Sequence, residues 1–228
     1  MEAPLTPAPT GAPGNPGSTA RTRVRRTPEK AVPDRAVAHA VLDAGLVAHL
    51  AVTDPDGQPY VLPVAYARDG DRVLVHGSTG SRLFRALADG APTCLTVTLL
   101  DGLVLARSAF ESSMHYRSVM VLGRCTALAD DEEWVAMERI TEHLMPGRWA
   151  DLRQPTRKER AATLVLALGL GECSVKVSDG WPDDPEEDLD LPYWAGVVPM
   201  TTVLGTPLPA PNLRGDPPVP PYVARWQR

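Results

Sequence analysis

The spacing of apolar residues changes period several times along the chain, and each change marks an element. After Asp34, residues Val37, Ala38, Val41 and Leu42 recur at helical spacing. Asp34 supplies a cap and Gly45 a stop, so a short helix is predicted there. The pattern then turns to β-rich runs, Leu46–Thr53 and Tyr60–Tyr66. They are joined by Asp54-Pro55-Asp56-Gly57, in which proline fixes φ and glycine accepts a positive φ. A second turn, Asp69-Gly70-Asp71, leads into Arg72–His76 and completes a meander. Helical spacing returns from Ser81 to Asp89, with Leu83, Phe84 and Leu87 inward and Gly90 as the stop. Strands are predicted next at Thr93–Leu100, Leu103–Arg107 and His115–Ala129. A longer helix over Asp130–Met145 starts with Asp130 and Glu133 as a capping-box pair and buries Trp134, Met137, Ile140 and Leu144. Thr163–Leu168 and Cys173–Val177 read as the last strands. A parallel doubly wound sheet needs a helix between most strands, and that pattern is absent. The expectation is a mainly β protein, a six- to seven-stranded antiparallel barrel with short flanking helices.

Composition sets the limits of the folded body. Only six of the 24 prolines among 228 residues fall between Asp34 and Trp181. Residues 1–33 therefore read as a flexible Pro/Arg-rich arm, 34–200 as the folded domain and 201–228 as a Pro-rich tail. The arm carries Arg21, Arg23, Arg25 and Arg26, either a solvated cluster or a contact for an anionic partner. The net charge of −5 argues against a nucleic-acid binder. No apolar run approaches the roughly 18–20 residues of a membrane span, and Met1 to Ala20 lacks the pattern of a secretory signal. Cys94, Cys125 and Cys173 are widely spaced and odd in number, which reads as reduced core thiols in a cytoplasmic protein.

Two segments could carry chemistry. In His76-Gly77-Ser78-Thr79-Gly80-Ser81-Arg82 a strand gives way to a small-residue loop and then a helix. Free backbone N–H groups there, with the serine hydroxyls and Arg82, suit a phosphate; the plain alternative is a helix cap and turn. In the strand around Ser112–Val119, His115 and Arg117 share one face while Tyr116 and Ser118 share the other. An arginine entering such an apolar strand needs an anionic partner, either a structural carboxylate or a ligand phosphate. His39 and His49 lack ligand spacing. No HExxH, GxSxG or paired CxxC is present, so no metal site is assigned and neither a zinc nor a serine hydrolase is supported.

Taken in order, these parts resemble the pyridoxamine 5'-phosphate oxidase-like, FMN-binding split-barrel superfamily. The resemblance rests on Pro63-Val64-Ala65-Tyr66 within the meander, Ser81-Arg82 at the helix start, Arg117-Ser118-Val119 leading to Gly123-Arg124, and the run Asp190–Pro199. That last run is similar to the tail of the flavin-nucleotide-binding, nitroimidazole-resistance-reductase-like branch. The resemblance implies FMN as cofactor, with Ser81 and Arg82 at its phosphate and Ser78 in the same loop. Leu83 stands where many members have a lysine, so Arg117 would compensate. It further places Arg117 and Ser118 on a strand reaching the cofactor, Pro63, Val64, Ala65 and Tyr66 beside the ring edge, and His76 and Gly77 near the ribityl chain and ring. Trp194 would reach it across a subunit interface.

The expected protein is thus a homodimer with two interface FMN sites, carrying out FMN-dependent oxidoreduction of a small molecule. His76 is its candidate catalytic acid–base, since histidine titrates near neutrality. The alternatives are a flavin-binding or storage module without turnover, or a same-fold enzyme, such as a cyclase, with silent flavin or with haem or a deazaflavin. An interaction protein acting through the basic arm is the remaining class.

Overall fold

The computed structural model describes residues 14–226. Helix α1 (Arg35–Ala44) is capped by the Asp34 carboxylate, which accepts from the Ala36 amide at 2.8 Å, and ends at Gly45. Strands β1 (Val47–Thr53) and β2 (Pro59–Asp69) flank the expected turn. There the Asp54 carboxylate accepts from the amides of Asp56 and Gln58, and Gly57 takes φ +84°. Then come β3 (Arg72–Ser78), α2 (Arg82–Ala88), β4 (Pro92–Leu105) and β5 (Ser113–Ala127). Helix α3 (Asp130–Leu144) and α4 (Arg157–Ala161) precede β6 (Thr163–Gly169), β7 (Glu172–Ser178) and β8 (Gly196–Pro199). A last turn of helix, α5 (Pro221–Ala224), follows a long extended segment.

All pairings are antiparallel, and they close a six-membered ring in the order β1, β2, β3, β6, β5, β4 and back to β1. Strand β2 pairs with β1 through Ala65 and with β3 from Tyr66 onward, so it passes from one sheet into the other. Strand β5 does the same: Tyr116–Leu122 pair with β7 and Cys125–Ala127 with β6. Successive strands β6 and β7 thus share one edge of β5 rather than pairing with each other, and the barrel is split at that point. Six strands close the barrel, as expected, and β7 and β8 add to its edges, giving an eight-stranded sheet among the described residues. The two strands expected over 93–107 are one, β4, with an irregularity between Leu100 and Gly102, and β8 adds itself to the far part of β4.

The barrel interior holds the main core, including Leu50, Tyr66, Val75, Leu95, Val97, Val119, Val121 and Leu166, sealed by α1 and by Leu83, Phe84 and Leu87 of α2. A second cluster lies outside the barrel, where Ala136 and Ile140 of α3 cover Ala67, Leu74, Val165 and Ala167. Helix α3 begins at Asp130 instead of being capped by it: the cap position is Ala129, which offers no side-chain bond.

The two ends of the chain both return to the body. Residues 14–33 lie against β7, where Gly17 N–H donates to Cys173 O, Val32 N–H to Val175 O, and Lys176 Nζ to the Thr27 hydroxyl; residues 1–13 of the expected arm lie outside the described part. At the other end, the Tyr222 phenol donates to Asp151 at 2.7 Å and accepts from Arg148 at 3.2 Å.

Candidate functional site

Strand alternation sorts the candidate residues onto two faces. Ala48, Leu50 and Val52 face the core, so the partners of the intervening β1 residues lie on the outside: His49 stands opposite Pro63 and Thr96, and Val47 opposite Ala65. On β5, Val119 and Val121 point inward, which puts Ser118 outward between Thr98 of β4 and Lys176 of β7. On β3, Leu74 belongs to the outer cluster, so His76 and Ser78 are outward too, opposite Val165 and Thr163. Pro63, Ala65, His76, Ser78 and Ser118 therefore share the barrel's outer surface.

Val64, Tyr66, Gly77 and Arg117 have the opposite orientation. Tyr66 is wholly buried, its hydroxyl donating to Leu42 O at 2.6 Å, so only its backbone is available to a ligand. Gly77 is required by the core: a Cβ there would stand 2.3 Å from the Phe84 ring. Arg117 makes a two-pronged pair with Asp101, at 2.8 and 2.7 Å, which also holds the Asp101 carboxyl below its usual range. Of the two partners left open by the sequence, the structure supplies the carboxylate.

The loop between β3 and α2 is more self-satisfied than expected. Thr79 N–H donates to Ala162 O, Gly80 N–H to the Ser78 hydroxyl, Ser81 N–H to Ser78 O, and Phe84 N–H to the Ser81 hydroxyl. Arg82 remains accessible, with 69% of its side chain exposed; it lies 4.7 Å over the Tyr60 ring and 3.8 Å from the Asp54 carboxylate.

His76 has a different character. Its Nδ1 is buried with no hydrogen-bond partner among the described residues, and burial pushes its pKa below the ordinary 6.5. The imidazole is thus neutral at pH 7. A hollow of about 390 Å³ opens between α3, the 149–160 loop and the start of β6. Its walls are Trp134, Met137, Trp149, Leu152 and Pro155, with Arg153 and Arg160 among the polar lining residues. The two indoles meet at 4.7 Å, and the Glu142 carboxylate fixes the loop by accepting from Gly147 and Trp149 amides at 2.6 and 2.7 Å. His76 does not itself line the hollow. Thr163 does, paired with Ser78, and His76 is next along the same face of β3.

The pyridoxamine 5'-phosphate oxidase family matches residues 34–177. The chain belongs to that family. A solved FAD- and haem-binding protein from Mycobacterium smegmatis is 47% identical, with a TM-score of 0.81 over 85% of this chain and 95% of that one. A flavocytochrome from Azotobacter vinelandii is 40% identical, with a TM-score of 0.86 over 94% of this chain and 99% of its own. A structure from Bacteroides thetaiotaomicron assigned to 5-nitroimidazole antibiotic resistance shares the fold alone, at 20% identity and a TM-score of 0.54, covering 64% of this chain and 86% of that one. No curated protein matches the chain.

Trp194 lies apart from the other family positions. It is 66% exposed, packs on Gly196 just before β8, and stands four strands from β3 in the sheet order. Among the remaining histidines, His115 is bonded to Gly180 O and His39 to Asp71. All three cysteines are free, and burial raises the Cys125 thiol to about 11. No helix of the described residues is long and apolar enough to cross a membrane.

The aromatic hollow is what the sequence reading missed. The helical spacing puts Trp134 in the buried stripe of α3 with Ile140; in the structure Ile140 and Ala136 fill that stripe and Trp134 turns toward Trp149. A signal was present: two tryptophans fifteen residues apart, followed by Thr156 and Glu159, which form a capping box that sets α4 against the hollow.

Proposed function

We propose that this protein is a flavin- and haem-binding oxidoreductase acting on a small molecule, and that it works as a homodimer with its cofactors near the subunit interface. The observation that carries the reading is His76, whose buried Nδ1 has no partner among the described residues and which shares the face of β3 with Ser78, paired to Thr163 at the wall of the tryptophan-lined hollow. A neutral imidazole is the form that ligates haem iron. Apolar walls with a guanidinium at the rim suit a flat macrocycle bearing carboxylates. The identity of the Mycobacterium smegmatis and Azotobacter vinelandii proteins supports the same reading. When bound, the flavin supplies hydride or electron transfer and the haem one-electron chemistry.

The residues of the chain would then divide the work. His76 would hold the iron in this reading; the same neutral imidazole is also the general-base form, so the acid–base role expected from the sequence is the alternative use of the same side chain. Trp134, Trp149 and Met137 would exclude water from one side of the macrocycle, while Arg153, bonded to Glu159, and Arg160, paired with Glu133, would have to trade those carboxylates for the macrocycle's. The flat outer surface at Pro63, Ala65 and Ser118 takes the flavin ring, with Ser78, Ser81 and Arg82 toward its phosphate. FAD is the flavin favoured by the 47% relative; FMN is favoured by the resemblance of the loop.

The test is the absorption spectrum of the purified protein, with mass spectrometry of the released ligands. Flavin and Soret bands together are expected, and His76→Ala should keep the flavin and lose the Soret band. A preparation that takes up no flavin overturns the reading. A Soret band unchanged in His76→Ala moves the iron ligand elsewhere.

A further inference from the structure

The segment between β8 and α5 is anchored at both ends and largely exposed, and it runs without helix or strand through one turn at Ala210–Leu213. Residues 198–219 are all exposed, and 201–219 contain no helix or strand. Val203 is 81% and Leu208 is 89% exposed, while Met200, Leu204, Leu213 and Val219 are also uncovered. This is not a loose tail. At its start, Met200 N–H donates to Asp101 O and β8 is zipped to β4 from Gly102 to Leu105. At its end, the Tyr222 ring lies 3.3 Å from where a Cβ on Gly147 would stand, and its hydroxyl is held by Asp151 and Arg148.

Length and composition say what such a segment spans. Pro207, Pro209, Pro211, Pro217 and Pro218 stiffen it toward the polyproline II form. The ten residues before the turn at Ala210–Leu213, 200–209, reach about 30 Å at about 3.1 Å each, roughly the width of a small domain. A segment tied at both ends, with apolar side chains standing off its own barrel, is suited to pass over a second body. Residues 200–213 carry no charge, which fits an apolar protein surface rather than a nucleic acid or an acidic partner. A surface of that kind begins at the root of the strap. Exposed Val198 pairs with exposed Leu103, and Leu105, Leu100, Val47 and Val61 are uncovered on the neighbouring strands.

We propose that residues 200–219 form a strap lying across a second copy of this chain, with Val203 and Leu208 seated on the partner's outer sheet. A two-fold arrangement satisfies both straps and both bare sheets at once, because each copy offers the same strap and the same patch. The proposal rests on the homodimer in the reading above and adds what clasps it.

A photoreactive benzoylphenylalanine at Leu208, in holoprotein mixed from ¹⁴N- and ¹⁵N-labelled copies, tests it. Crosslinked peptides joining a ¹⁴N strap to ¹⁵N residues of β1, β2 or β4 are expected. The double change Val203→Ser with Leu208→Ser should raise the dimer dissociation constant at least tenfold in sedimentation equilibrium, with the melting of the isolated fold unchanged. A dimer whose strap crosslinks only within one copy, or not at all, overturns the strap and leaves the dimer. A protein that stays monomeric at every concentration overturns both.

Discussion

The two outer faces of the barrel are built alike and end differently. On β3, β6 and the far half of β2, the outward residues Ala67, Leu74, Val165 and Ala167 are buried beneath Ala136 and Ile140 of α3. On β1, β4 and the near half of β2, outward Val47, Val61 and Leu100 are as apolar and remain exposed. An apolar outer face says only that something covers it. In one case the cover is in the chain; in the other it is proposed to be cofactor and partner. His76 lies at the border, with Leu74 on its covered side and the hollow on the other.

If the covered face is structural, Ile140→Ala should give the largest loss. A wholly buried isoleucine cut to alanine costs about 2–5 kcal/mol, which urea denaturation would read; a loss within the scatter of surface changes would erase the distinction between the faces. The next effect concerns the border. Because burial lowers the His76 pKa in the fold, the unfolded chain takes up the proton first. The stability that the neutral imidazole confers is present above its ordinary value of 6.5 and is lost as pH falls through the depressed folded value. Acidification from about pH 7.5 to about pH 5 should therefore lower the urea midpoint more in wild type than in His76→Gln.

Smaller effects sharpen the bare side. The Arg117–Asp101 pair is 42% and 35% exposed at its side chains. Removing it with Arg117→Gln should cost at most about 1 kcal/mol and leave flavin affinity nearly unchanged in a fluorescence titration. A large, phosphate-dependent loss would return Arg117 to the cofactor. Val61→Ser should change the stability of the isolated chain by less than about 0.5 kcal/mol, while weakening self-association. A fall in stability without any change in association would show that the bare face is covered from within.

Local chemistry made much of this fold legible. The Asp54–Gly57 turn, the Asp34 and Ser81 caps and the strand periods are each determined by a few adjacent residues, and the structure has them where the sequence puts them. What stayed hidden depends on distant partners. The strand break expected near Leu100 becomes one bulged strand because β8 arrives beside it, close enough that a Cβ on Gly102 would lie 2.9 Å from Val198 O. An arginine at position 117 calls for an anion, and the structure meets that need with Asp101, sixteen residues away across a hairpin, which spacing alone does not single out. In the site, alternation alone separates Ser118 from Arg117 and His76 from Gly77. The hollow required knowing how the 149–160 loop folds back on α3.

The placement of the arm along β7 bears on solubility. β7 gives one edge to β5, and its other edge would offer a row of unpaired amides and carbonyls, a template on which another sheet could grow. The arm occupies part of that edge, with Gly17 N–H donating to Cys173 O, Val32 N–H to Val175 O, and a bridge from Ala31 to Lys176. Arg23, Arg25 and Arg26 stand exposed on the same segment, where like charges oppose stacking of two such edges. The arginine cluster that reads as a solvated tail or an anion contact thus stands where like charges would oppose growth of a sheet on the β7 edge, one of the two edges of the sheet among the described residues.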